Sequence, residues 1–213
     1  MKTAIVAGAS GLVGEQLIKE LLADPGYSKI IAVVRKSMDT RHEKLEQMII
    51  DFGHLPSSLN GIIADHGYCC LGTTIKTAGS KERQFRIDHD YVIDFAGACH
   101  TAGVTRFAVV SSIGAKASSS NFYLRTKGTM EQNLKRIPFA ALFILQPSLL
   151  MGKRKERRFG EKAAIFMMKA IGQLMFGSLK KYRGVDASKV AQCMISCIHS
   201  SKEGISIIRS DQI

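Results

Sequence analysis

Thr3-Ala4-Ile5-Val6-Ala7 runs straight into Gly8-Ala9-Ser10-Gly11-Leu12-Val13-Gly14, and this joint decides how the rest of the chain is read. A short, apolar, partly β-branched run reads as a buried strand. Beyond the glycines, Leu12, Val13, Leu17, Ile18, Leu21 and Leu22 recur with helical spacing. Strand, glycine turn and helix in that order form a dinucleotide-binding βα corner. Gly8 permits the tight turn, Gly11 lets backbone N–H groups approach a pyrophosphate, and Gly14 lets the helix pack close to the strand. Ser10, Leu12 and Val13 complete the turn, where the unpaired N–H groups and dipole of the helix N-terminus favour negative charge. The spacing is GxxGxxG rather than the GxGxxG of typical dehydrogenases, so the order of elements carries the reading.

Outward from this corner, 213 residues suit one α/β domain, and 46% hydrophobic content agrees with a buried core. No apolar run is long enough for a transmembrane helix, and the first run breaks at the glycines, unlike a signal peptide. Cys69, Cys70, Cys99, Cys193 and Cys197 lie mostly in apolar runs, which points to buried thiols in a reducing cytosol and so to a cytoplasmic protein. Cys193 and Cys197 share a helix face with His199 nearby, but no second ligand cluster accompanies them, so no metal is expected. The net charge of +12 favours anionic partners. Much of it is local, in Lys153-Arg154-Lys155-Glu156-Arg157-Arg158 and Lys180-Lys181-Tyr182-Arg183. No nucleic-acid-binding pattern accompanies these runs, so nucleic acid is not expected as a partner. The first run lies where an anionic substrate would enter, and a solvated loop is the competing reading.

Further strands are expected at Lys29–Val34, Met48–Phe52, Tyr68–Leu71, Phe107–Val110, Phe139–Leu145 and Ile205–Ile208. Helices are expected at Ser57–Asn60, about 81–102, Tyr123–Arg136, Glu161–Phe176 and Ala187–Ser200. Met167, Met168 and Met175 at helical spacing read as core or pocket wall. Alternation of short apolar strands with helices predicts a doubly wound, mostly parallel (Rossmann) sheet covered on both faces, with a small C-terminal extension. Residues 147–213 would form a reduced substrate side of the single domain 1–213. Ligands of such sheets bind at the carboxyl ends of the strands, beside the first one.

At the end of the second strand, where an acid normally holds the adenosine ribose, stand Arg35 and Lys36. Cations there suit a 2′-phosphate, which predicts NADPH rather than NADH. Asp51 and Phe52 end the third expected strand, where an acid meets the adenine amine and an aromatic shapes its slot; a solvated strand end is the alternative. Tyr123 and Lys127, four apart, share one helix face. A tyrosine works as acid or base when its pKa falls toward neutrality, and a nearby ammonium favours the phenolate. Tyr27, Tyr68, Tyr91 and Tyr182 have no lysine at that spacing. Ser111 and Ser112 close the preceding strand, where a hydroxyl can hold a substrate oxygen while Tyr123 passes it a proton.

With these residues the chain resembles the short-chain dehydrogenases/reductases. More narrowly, it resembles their atypical branch of Tat-interacting-protein-2-like oxidoreductases and bacterial sugar-nucleotide-epimerase-like relatives. The matching blocks are Gly8–Gly14, Cys69–Thr74, Asp88–Val92, Ser111–Ala115, Ser119–Gly128 and Pro147–Leu150. The resemblance implies that Tyr123 is the general acid/base and that Lys127 binds the nicotinamide ribose. One of Ser111 and Ser112, with Ser112 favoured, would orient the substrate. Leu71, Gly72 and Thr73 would line the cofactor cleft, and Pro147, Leu149 and Leu150 would run past the nicotinamide. Gln146 stands where these relatives usually carry arginine, and residues 147–213 are few for the substrate domain of the longer members. Two functions follow: an NADPH-dependent oxidoreductase acting on a small carbonyl or alcohol, or a non-catalytic NADPH sensor that controls a protein partner.

Overall fold

The computed structural model describes residues 1–152 and 184–213. Seven strands form one sheet: β1 (Lys2–Ala7), β2 (Tyr27–Val34), β3 (Leu45–Ile49), β4 (His66–Cys69), β5 (Arg106–Val110), β6 (Ala141–Gln146) and β9 (Gly204–Arg209). The spatial order is β3-β2-β1-β4-β5-β6-β9, and every pairing is parallel. The chain leaves β1 toward β3 and returns at β4 on the other side. The crevice between the carboxyl ends of β1 and β4 is therefore the topological switch point, where open α/β sheets bind their ligands. A second, two-stranded sheet pairs β7 (Leu150–Met151) with β8 (Val185–Asp186). The fold is Rossmann-like.

Residue parity divides the core. Ala4 and Val6 of β1, Ala108 and Val110 of β5, and Phe143 and Leu145 of β6 pack with α1 (Leu12–Ala23) and α7 (Ala187–His199). The alternating residues Ile5, Ala7, Phe107, Val109, Leu142 and Ile144 pack with α5 (Tyr91–Thr101) and α6 (Phe122–Leu134). A sheet buried on both faces needs apolar side chains at both parities, which is why its strands read as continuous runs.

Several expected boundaries shift. β2 starts at Tyr27, two residues early, and β4 ends at Cys69 rather than Leu71. β6 begins at Ala141, after Pro138, rather than at Phe139. The third strand is Leu45–Ile49, not Met48–Phe52, because its last pair with β2 is Val34↔Ile49. The short helix is α2 (Leu55–Ser58) instead of Ser57–Asn60, and α3 (Ile75–Ala78) was not expected. α6 stops at Leu134, two residues short of Arg136. The helix expected over 81–102 is α4 (Lys81–Phe85), a wider π-turn (Arg86–Asp90) and then α5. The expected helix 161–176, the two basic runs and the three methionines lie outside the described residues.

At the foot of the sheet the apolar core gives way to a polar cluster. The Tyr27 hydroxyl lies 2.6 Å from His66 Nδ1, 2.8 Å from the Tyr68 hydroxyl and 3.2 Å from His199 Nε2. Burial pushes the His66 pKa down to about 4, with His199, Lys2 and Arg106 acting in the same direction against Asp65. The unfolded chain takes up a proton near the ordinary value of about 6.5, while folded His66 stays neutral. Stability is therefore full above pH 6.5 and declines as pH falls toward 4. The loss is up to about 3 kcal/mol, or about half that once solvent access to the ring is allowed. In urea titrations across this range, His66→Gln is expected to flatten the decline; a decline identical to the parent's would exclude His66 as its source.

Candidate cofactor and catalytic site

The glycine turn joins β1 to α1 as the spacing requires. Gly8 has φ +78°, and a Cβ there would fall 2.5 Å from the Cys70 carbonyl carbon at the end of β4. At Gly14 a Cβ would fall 2.1 Å from the Gly8 carbonyl oxygen. Both contacts are with backbone, which cannot swing aside, so the turn has room for hydrogen only at these two places. Gly11 precedes α1 as its N-cap and offers no side-chain cap, leaving first-turn N–H groups without an intrahelical acceptor. This cradle sits on the β1–β4 crevice and fits the pyrophosphate of a dinucleotide. Gly152, beyond β7, approaches the Leu12 side chain and so brings the strand-six exit loop against the start of α1.

The other expected cofactor residues follow the carboxyl ends of β2, β3, β4 and β6, and Phe52 departs from its expected place in an adenine slot. Arg35 and Lys36 are exposed at the carboxyl end of β2, with no ion-pair partner among the described residues. Asp51 is exposed past β3; its carboxylate accepts from the Gly53 amide at 2.9 Å and lies 3.6 Å from His54 Nδ1. Phe52 is buried in the core, its ring 5.6 Å from that of Tyr91. Leu71, Gly72 and Thr73 follow β4. Pro147 is buried and Leu149 exposed after β6, with Leu150 opening β7. The Pro147 carbonyl accepts from the Ile113 amide at 2.9 Å, joining the loops that leave β5 and β6.

α6 starts at Asn121, whose side chain accepts from the Leu124 amide at 3.1 Å. In the first turn of α6, Tyr123 is half-buried and precedes Lys127 on the same face. Lys127 is almost wholly buried, its side chain 3% exposed, with Nζ 2.8 Å from Oδ1 of the fully buried Asp88. Burial presses the lysine pKa down, but Asp88, and after it Tyr123, outweigh burial and hold it above its ordinary value. Lys127 therefore stays an ammonium inside the protein.

The two serines part company. Ser111 is buried and donates from Oγ to Glu131 Oε1 at 2.5 Å, while Gln146 Nε2 donates to both oxygens of the same carboxylate at 2.9 and 3.1 Å. Ser112 is half-buried, and among the described residues its hydroxyl bonds only to the neighbouring Ile113 carbonyl, at 3.3 Å. Glu131 was missed in the sequence, although it stands four residues after Lys127 and eight after Tyr123 on one helix face. A carboxylate on an otherwise inward-facing stripe was the available signal. Asp88 gave no such signal, because the π-turn that aims it is not written in local composition.

A family model described as NAD(P)H-binding matches residues 8–200. The chain belongs to that family. Protein HTATIP2 of Rattus norvegicus is 35% identical over 164 residues, which cover 75% of this chain and 67% of that protein. Protein fmp52, mitochondrial, of Emericella nidulans is 32% identical over 181 residues, covering 82% and 78%. Among solved structures, UDP-N-acetylglucosamine 4-epimerase from Methanobrevibacter ruminantium in complex with UDP-N-acetylmuramic acid superposes with TM-score 0.74. Its identity is 17%, over 98% of this chain and 76% of that one. MoeE5 in complex with UDP-glucose and NAD gives TM-score 0.71 at 17% identity, over 96% and 74%. At such identity the likeness is one of fold. Within the NAD(P)H-binding family, the chain is an atypical relative of the short-chain dehydrogenases/reductases.

The fungal relatives correct the expected cytoplasmic location. Those of Emericella nidulans, Eremothecium gossypii and Candida glabrata are named as mitochondrial proteins, and they point away from the cytosol. Free thiols mark a reducing compartment without saying which one, so the cysteines did not discriminate. Among the described residues, no helix is long and apolar enough to cross a membrane.

Proposed function

We propose that the protein is an NADPH-dependent oxidoreductase acting on a small carbonyl or alcohol, with Tyr123, Lys127 and Ser112 carrying the proton chemistry. The observation that carries this reading is the buried, charged Lys127 one helical turn from half-buried Tyr123, beside a crevice whose glycine cradle fits a pyrophosphate. The nicotinamide cofactor, when bound, supplies or accepts a hydride. Tyr123 then gives a proton to the substrate oxygen, or takes it back from an alcohol. Lys127 favours the phenolate and holds the nicotinamide ribose. Ser112 donates to the substrate oxygen. The Ser111 hydroxyl is committed to Glu131, which supports Ser112 in this role.

Gly8, Ser10, Gly11, Leu12, Val13 and Gly14 hold the pyrophosphate in this reading, and Arg35 and Lys36, without an ion-pair partner among the described residues, take a 2′-phosphate. Asp51 is assigned to the adenine amine, whereas Phe52 packs in the core and leaves the adenine slot to other residues. Leu71, Gly72, Thr73, Pro147, Leu149 and Leu150 are assigned to the cleft wall. The substrate class stays coarser than that of the solved neighbours. The nucleotide sugars belong to those proteins, whose chains are longer than this one.

Calorimetric titration tests the cofactor. NADPH is expected to bind about tenfold or more tightly than NADH, and Arg35→Ala to remove most of that difference. Equal affinity for the two cofactors would overturn the NADPH assignment, and binding of neither would overturn the whole reading. A carbonyl screen with the tighter cofactor then identifies the substrate.

A further inference from the structure

The loop after β4 is strapped to the helices by side chains that have little access to water. Asp88 Oδ2 accepts from the Thr73 amide at 3.0 Å. Gln84, also buried, donates from Nε2 to the Thr73 carbonyl at 3.2 Å. Lys127 Nζ reaches the Leu71 carbonyl at 3.5 Å. Between these contacts, a Cβ on Gly72 would lie 3.4 Å from Asp88 Oδ1 and 3.7 Å from Lys127 Nζ, so the loop backbone rests directly on the ion pair. Asp88 belongs to the π-turn between α4 and α5, and a wider turn re-aims side chains relative to a continuous α-helix. One carboxylate thus meets two elements, the loop with Oδ2 and α6 with Oδ1.

We propose that Asp88 is a positioning residue of the candidate site, its buried carboxylate joining the Lys127 ammonium to the Thr73 amide so that α6 and the loop after β4 are held as one unit. The consequence for chemistry rests on the oxidoreductase reading; the coupling itself is a property of the free chain. Asp88 sets where the ammonium stands and keeps it charged against burial, beside Tyr123. The groups acting on the ammonium are Asp88 from the π-turn, Tyr123 from its own helix, and the Cys69 thiol from β4. Burial pushes that thiol up to about 12, so it is neutral at physiological pH.

The test uses the purified chain without cofactor. The ultraviolet phenolate titration is recorded for the parent and for Asp88→Asn, each against its Tyr123→Phe counterpart, so that the difference isolates Tyr123. Asparagine keeps an acceptor for the Thr73 amide and removes the charge. Without the Asp88 charge, burial lets Lys127 shed its proton, so the Tyr123 step is expected to move to higher pH, with Thr73 amide exchange unchanged. Asp88→Ala is expected to speed Thr73 exchange by about tenfold or more. A folded Asp88→Asn with an unmoved Tyr123 step, or a folded Asp88→Ala with unaltered Thr73 exchange, would overturn the proposal.

If neither variant folds, the parent decides. Its Thr73 amide must exchange about tenfold more slowly than that of neighbouring Gly72, and equal rates would refute the strap. NADPH calorimetry run in parallel separates the two claims. A chain that shows the Tyr123 shift but binds no cofactor keeps this inference and loses the oxidoreductase reading. One that binds NADPH with an unmoved Tyr123 step does the reverse.

Discussion

Lys127→Met is expected to lower the free energy of unfolding by about 3–5 kcal/mol, a large share of what a domain of this size has to lose. The reason is the partner left behind. Asp88 is wholly buried, and its Oδ1 faces the ammonium at 2.8 Å with no other hydrogen-bond partner. Methionine fills similar space but leaves a buried charge whose Oδ1 has lost its partner, with the Thr73 amide on Oδ2 alone to compensate. The double variant Lys127→Met/Asp88→Leu removes both charges, and it is expected to recover most of the loss, because a buried ion pair is often worth no more than an apolar pair of equal volume. Urea denaturation of the parent, both single variants and the double variant measures the coupling directly. A Lys127→Met chain within about 1 kcal/mol of the parent would mean that water reaches Asp88.

Tyr123→Phe is expected to cut turnover of the screened carbonyl substrate by about 10²–10⁴-fold, the range over which a positioned acid or base contributes. The ring remains, so its packing at the start of α6 is kept, while the proton it would transfer is gone. Cofactor affinity, which the proposed function assigns to the glycine cradle and Arg35, is expected to change by about twofold or less. The pairing of the two measurements matters. A joint loss of binding and turnover would point to a disturbed helix, whereas unchanged turnover would remove Tyr123 from the chemistry and favour a sensing role for the protein.

Much of this architecture is readable along the chain because the relevant interactions are local or periodic. The glycine turn is one such case: only glycine fits where a Cβ would strike the Cys70 or Gly8 backbone. The strands of a sheet covered on both faces are another, since both residue parities must be apolar. Tyr123 and Lys127 were legible as a pair because helix geometry alone places residues four apart on one face.

Other features were decided by partners distant in sequence. The apolar run Met48-Ile49-Ile50 does not say where pairing with β2 stops; the register does, and Phe52 turns into the core instead of extending β3. Ser111 and Ser112 are equivalent in sequence, and only the approach of Glu131 and Gln146 distinguishes them. No glycine or proline marks the π-turn at 86–90. There Asp88 meets Lys127 and the Thr73 amide, while His89 Nε2 lies 2.8 Å from Asn133 Nδ2 on α6.

The sequence by itself determined the glycine turn between β1 and α1, the class of fold and the Tyr123–Lys127 face, because each rests on backbone sterics or helical and strand periodicity. Tertiary structure alone decided which serine hydroxyl is held by Glu131, where β3 ends, and that a fully buried carboxylate stands behind the lysine. Each of these is a contact between elements brought together only when the sheet closes, and a buried charge is tolerable only where its partner arrives.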